Sequence, residues 1–154
     1  MRLDGDFAAY LAARWPVLVR LLVLLGGRTD EAEDAVRSGL ALDYADWARI
    51  SRSDDPDVYV YRSVLEAWDR RPTGWWDAPP PGPDGEPTPE LAALERQLDR
   101  LTGLERRALV LRFASGLSEQ QVARVLDAPP AEVRDLVARG LGRVDLATVR
   151  ETTR

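Results

Sequence analysis

The sequence predicts an all-α protein of two small helical domains joined by a proline-rich linker, and three observations carry that prediction. Apolar residues on either side of residues 72–88 recur at three- and four-residue spacing, the period of a helix with one buried face. Residues 72–89 hold seven prolines and three glycines, which excludes regular helix or central strand there. Leu101–Val144 divides into three helical pieces with a tight turn between the last two, the pattern of a helix-turn-helix.

Composition narrows the function classes. A chain of 154 residues, 45% hydrophobic and 31% charged, suits one medium domain or two small helical ones. It has no cysteine and no histidine, which removes disulfides, thiol nucleophiles, imidazole bases and the usual zinc ligands. No phosphate-binding glycine loop is present either, so an enzyme is the weakest class and no cofactor or metal is implied. All 21 basic residues are arginine, which reads as a coding bias. The net charge of −5 argues against non-specific coating of DNA or acidic membranes. It is unevenly spread: 10 Arg against 13 acids over 1–71, none against 3 over 72–89, and 11 against 10 over 90–154. The C-terminal part is thus nearly neutral, short of the basic footprint of a DNA-binding domain. The apolar run Val17–Leu25 is short for a bilayer and contains Arg20, and no secretion signal is apparent, so the expected location is the cytoplasm.

The elements follow in order. From about Asp4 to Leu25, Phe7, Leu11, Leu18, Leu21, Leu22 and Leu25 share one helical stripe, with Pro16 either kinking the helix or restarting it. Gly26-Gly27 ends it, and Thr29 is the expected cap of a helix running to about Ile50, with Val36, Leu40, Tyr44 and Trp47 inside. Asp30, Glu31, Glu33 and Asp34 compensate the positive end of that helix. Asp54-Asp55-Pro56 is a further helix start, a capping aspartate followed by proline at the first helical position. Its helix interleaves Tyr59, Tyr61 and Trp68 with arginines, which suits stacking on single-stranded nucleic acid or, more simply, a half-core helix with a solvated face. Trp75-Trp76 in the linker either dock back on a domain or await a partner, and docking is preferred. Thr88-Pro89 starts a helix with Leu91, Leu94, Leu98 and Leu101 inside. Leu104, Ala108 and Leu111 continue at helical spacing until Gly116; Ser118 and Gln121 then form a capping box, Asp127-Ala128-Pro129-Pro130 turns the chain, and Val133, Leu136, Val137 and Leu141 face inward from the last helix. The tail after Asp145 is expected to fray.

In this arrangement the chain resembles a bacterial RNA polymerase sigma factor of the extracytoplasmic-function group, in the short actinobacterial style. ARWPVLVRLLVLLGG, then Ala32-Glu33-Asp34 and Trp47-Ala48-Arg49-Ile50, match the family's first domain. Pro56-Asp57-Val58-Tyr59-Val60 followed by Trp68 and Arg70-Arg71 matches its third helix, and LTGLERRALVLRFASGLSEQQVARVL matches the start of region four. The implied organisation is a region-two-like domain at 1–71, a linker at 72–88 and a region-four-like helix-turn-helix domain at 89–154.

The resemblance implies a non-enzymatic transcription initiation factor that binds core RNA polymerase and promoter DNA, with an anti-sigma or other regulatory protein as a further partner and no membrane or small-molecule substrate. Carried over by position, Asp34, Arg37 and Leu40 would face the polymerase clamp. Arg62, Glu66, Trp68, Arg70 and Arg71 would hold the melted −10 strand, and Ala131, Glu132, Arg134, Asp135 and Arg139 would read the −35 element. Departures fall on contact positions. Arg37-Ser38 stands where the family has a Gln–acid pair, Glu66 where it has asparagine, and Thr102-Gly103 where it has two prolines. Glu132-Val133-Arg134-Asp135 replaces a Thr-Val-Lys-Ser pattern, and two acids there repel phosphates, although a carboxylate can accept from cytosine N4. The alternative function is therefore a degenerate sigma-like regulator that has lost DNA reading and acts through protein–protein contacts. Two separate bundles with few direct contacts are expected, unless Trp75 and Trp76 of the linker bridge them.

Overall fold

The computed structural model describes residues 2–71 and 88–144, which form eight α-helices and one π-helical turn. The first bundle is α1 (Arg2–Leu24), α2 (Thr29–Ala45), α3 (Trp47–Ile50) and α4 (Pro56–Arg70). The second is α5 (Pro89–Leu98), α6 (Gly103–Leu109), the π-helical turn (Val110–Ala114), α7 (Glu119–Leu126) and α8 (Pro130–Arg143). Trp75-Trp76 and the tail after Asp145 lie outside the described residues.

In the first bundle, α1 runs unbroken through Pro16, whose exposed ring leaves the inner stripe of Leu18, Leu21, Leu22 and Leu24 intact. Gly26 then takes φ +104°, a conformation open to glycine, and the helix ends. The cap of α2 is not Thr29: the N-cap is the extended Arg28, without a side-chain cap, and Asp30 accepts from the Glu31 amide at 3.0 Å. Nor does α2 reach Ile50. It stops at Ala45, and α3 resumes it past Asp46, which buries Trp47 and leaves Tyr44 half exposed against Phe7, ring centroids 5.1 Å apart. Asp55 caps α4, its Oδ1 accepting from the Val58 amide at 3.4 Å, with Pro56 at the first helical position as expected. Where α2 crosses α4, a Cβ on Gly39 would lie 2.9 Å from the Val64 backbone, so only glycine permits this approach. Tyr10 and Arg14 tie α1 to α4 through Asp57, the two Arg14 bonds measuring 3.1 and 3.2 Å.

Two complete capping boxes build the second bundle. Ser118 and Gln121 open α7 as the sequence predicts, and Thr102 and Glu105 open α6 in the same reciprocal way. Glu105 is only 2% exposed and is also paired with Arg143 of α8 at 3.3 Å. Asp127 closes α7 in the left-handed conformation, φ 53°, and Pro129-Pro130 lead into α8. Val133 and Leu136 are buried as predicted, whereas Leu104, expected inside, is exposed.

The bundles are not separate. Val110, Leu111, Leu117, Val122 and Val125 of the second belong to one apolar cluster with Leu18, Leu22, Val58, Tyr61 and Leu65 of the first. The expectation of few contacts fails because the inner faces of the π-helical turn and α7 are apolar on more sides than α8 alone can cover, and α1 and α4 cover the rest. Gly5–Leu24 of α1 has the length and mean hydropathy, 1.6, of a membrane span, but it contains Arg14 and Arg20, and its last turns lie in this shared core.

Candidate functional site

Three helix faces carry the residues the sequence singles out. On α2, Asp34 and Arg37 point outward, the Arg37 guanidinium pairing with Asp34 at 2.9 Å and Glu33 at 3.6 Å and lying 5.6 Å from the Trp15 ring centroid. Leu40 does not belong to this face. It is 3% exposed, because the spacing that places Val36 and Leu40 in register aims both at the core. The outer face continues instead through Ala41 and Leu42, the latter 57% exposed. Sequence reasoning missed Leu42, although its position eight residues after Asp34 puts it within a quarter-turn of the same face.

On α4, the five candidate −10 residues separate into two groups. Arg62, Glu66 and Arg70 are exposed, with Arg70 paired to Glu66 at 3.7 Å. Trp68 is 4% exposed, and its ring fills the space that Gly27 leaves open. Arg71 lies over that ring at 3.2 Å from its centroid, donates to the Trp68 carbonyl at 2.9 Å and pairs with Glu31 at 3.5 Å. Trp68 therefore belongs to the packing of the first bundle, and Arg71 is held against its ring with the guanidinium partly exposed. An aromatic at core spacing was the better reading of Trp68. Arg62, Glu66 and Asp69 open on a cleft whose far wall carries Leu104, Arg107 and Leu126.

On α8, Ala131, Glu132, Arg134, Asp135 and Arg139 are all exposed on the side opposite Val133 and Leu136. Arg134 is paired with Glu119 at 2.9 Å, and the Arg139 Nε donates to the Asp135 carbonyl at 3.4 Å. The two acids thus stand outward while Arg134 is partly neutralised within the bundle.

Between the first two faces lies Asp43, 3% exposed, whose Oδ1 accepts from the Ser63 hydroxyl of α4 at 2.7 Å. Burial pushes its carboxyl up to about 6 from 3.8; Ser63 offsets part of the rise and the charges of Asp46 and Glu66 add to it. Its Oδ2 has no partner among the described residues, nor has the buried Trp47 indole nitrogen four residues on. No group of three or more acidic residues placed to hold a metal ion occurs among the described residues.

A four-helix bundle presenting a charged outer helix is thus packed on a helix-turn-helix whose second helix has an open outer face. The comparisons agree. Residues 91–144 match the family described as Sigma-70, region 4. The sigma factor RpoE of Bartonella quintana, solved in complex with the anti-sigma factor NepR, superimposes over 90% of this chain and 93% of its own, with TM-score 0.72 and 19% identity. The PhyRSL–NepR complex of Sphingomonas sp. Fr1 matches over 94% of this chain and 87% of the matched chain, with TM-score 0.62 and 27% identity. The anti-anti-sigma factor PhyR complex from Bartonella quintana matches over 86% of this chain but 46% of the matched chain, with TM-score 0.60 and 17% identity. No curated protein matches the sequence. The match to region 4 thus covers the second bundle, and the chain as a whole shares the two-domain helical fold of RpoE.

Proposed function

We propose that this protein is a transcription initiation factor that binds core RNA polymerase through the outer face of α2 and promoter DNA through α4 and α8. One observation carries the reading: the outer faces of α2 and α8 are both exposed and both lie outside the contact between the bundles. On this reading Asp34, Arg37 and Leu42 meet the polymerase, Arg62, Glu66 and Arg70 face the −10 strand, and Ala131, Glu132, Arg134, Asp135 and Arg139 face the −35 element. Such a factor works in the cytoplasm beside the polymerase. RpoE and PhyR are each described in complex with the anti-sigma factor NepR, which supports a regulatory protein of that kind as a further partner.

A second reading has its own support. Trp68 is buried in the fold, Glu132 and Asp135 stand outward on α8, and the same fold serves an anti-anti-sigma factor. In that case the protein acts by binding other proteins and no longer reads DNA. Run-off transcription with purified core polymerase, a genomic fragment library and this protein as the only initiation factor separates the two. Specific transcripts are expected. Co-elution with polymerase without transcripts favours the second reading, and neither result removes the polymerase interaction.

A further inference from the structure

The charge imbalance of the two halves has a structural counterpart at their junction. Four donors of the second bundle meet acceptors of the first. Gln121 Nε2 donates to Asp55 Oδ2 at 3.0 Å, and Arg124 reaches both oxygens of Asp54 at 3.3 and 3.4 Å. Arg107 grips Asp69 at the other end of α4. Arg106 donates to the Leu24 carbonyl at 2.7 Å, giving α1 the C-terminal cation that its own last turn lacks. The net-negative half supplies the acids and the nearly neutral half the arginines.

In a helix-turn-helix the first helix crosses the DNA backbone while the second enters the groove. That first helix is α7, and Gln121 and Arg124 are side chains of it with donors to offer phosphates. Both are already engaged by carboxylates of the first bundle. We propose that Asp54 and Asp55 stand in for DNA phosphates on α7, so that the closed packing of the two bundles and the seating of the helix-turn-helix on duplex DNA exclude one another. The proposal rests on the reading that this domain binds promoter DNA. Phosphate contacts fix position and register, and on α7 the groups that would make them are engaged within the molecule even though the outer face of α8 is open. Exposed ion pairs of this kind are individually weak and screened by salt, which suits a contact that a polyanion displaces.

The test uses the full chain. In Asp54→Asn/Asp55→Asn the cap of α4 survives, since asparagine caps as well as aspartate. Asp6→Asn/Asp46→Asn, away from the junction, changes the net charge equally and serves as the control. Binding to a short fluorescein-labelled duplex of mixed sequence at low salt is followed by anisotropy. The junction variant is expected to bind about threefold to tenfold more tightly than the control, and adding Arg124→Gln to remove the gain. Because the native chain has no cysteine, Ala45→Cys and Ala138→Cys take a dye pair site-specifically, and energy transfer between them is expected to fall when the duplex binds. Equal affinity of junction variant and control, or unchanged transfer on binding, overturns the mimicry and leaves DNA binding standing. Absence of duplex binding by every variant overturns the DNA reading itself and the mimicry with it.

Discussion

Asp43→Asn separates the electrostatics of the first bundle from its packing. The wild-type carboxylate sits between α2 and α4 at 3% exposure with one hydrogen bond, from Ser63. With its carboxyl pushed up to about 6 from 3.8, the folded protein holds this proton more tightly than the unfolded chain does. Between about pH 4 and pH 6 the native state therefore binds more protons, and the contribution of Asp43 to stability falls as pH rises through that window, then levels off above it. A displacement of about two units corresponds to an upper bound on the order of 2–3 kcal/mol. Asparagine keeps an acceptor for Ser63 and removes the charge, although its buried amide adds an unsatisfied N–H whose cost, about 1–3 kcal/mol, does not vary with pH. The quantity to measure is thus the change in the stability gap between variant and parent with pH. Urea unfolding followed by tryptophan fluorescence should show the gap moving in favour of the variant by about 2–3 kcal/mol from pH 4 to pH 7, roughly 4–10 °C in Tm for a chain of this size. A gap that stays constant across the range, or moves the other way, refutes the assignment of a buried carboxylate with a raised pKa.

Gly39→Ala places a methyl group against the Val64 backbone and should destabilise the first bundle by about 1–3 kcal/mol in the same unfolding assay. Leu40→Ala should cost about 2–5 kcal/mol of stability as a core truncation, whereas Leu42→Ala should leave Tm nearly unchanged and weaken co-elution with core polymerase by about fivefold or more. On the proposed function, Glu132→Gln/Asp135→Asn should strengthen duplex binding, with the largest gain in low salt, since two outward acids leave the exposed side of α8. Ser118→Ala should lower stability by about 1 kcal/mol through loss of the α7 capping box.

The helices, their starts and most of their inner faces were legible because each depends on local physics. Asp55-Pro56, Ser118 with Gln121, and Pro129-Pro130 act within a turn of the backbone they cap or break, so the sequence alone exposes them. The Thr102–Glu105 box was equally local but went unread, hidden behind the comparison with a proline pair. What the sequence could not show depends on contacts distant in the chain. Leu40 and Leu42 look alike in composition, and only the register of α2 on α4, set by the close approach at Gly39, decides which faces solvent. Trp68 offered two readings until Gly27, 41 positions earlier, was seen to leave the space for its ring. The shared core was invisible for the same reason: helical periodicity reports that a face is buried and not which element buries it.

Three arginines on the candidate contact faces share a chemical feature. Arg37 on α2, Arg70 on α4 and Arg134 on α8 each pair with an acid of the same bundle, at 2.9, 3.7 and 2.9 Å, whereas the exposed Arg62 and Arg139 have no ion pair among the described residues. A guanidinium held this way is already positioned but partly neutralised, so a phosphate or a partner carboxylate must compete for it. Long-range attraction of the whole molecule to DNA is then small, in keeping with its charge of −5, while a partner that presents several acceptors at the right spacing can still displace the intramolecular acids together. Recognition by such surfaces depends on matched geometry more than on bulk charge. That favours a factor whose contact with promoter DNA forms after polymerase has brought the two together, and it makes the order of binding itself measurable: duplex affinity should be weak for the free protein and much stronger for its complex with core polymerase. Equal affinity in both states would show that these paired arginines do not limit binding.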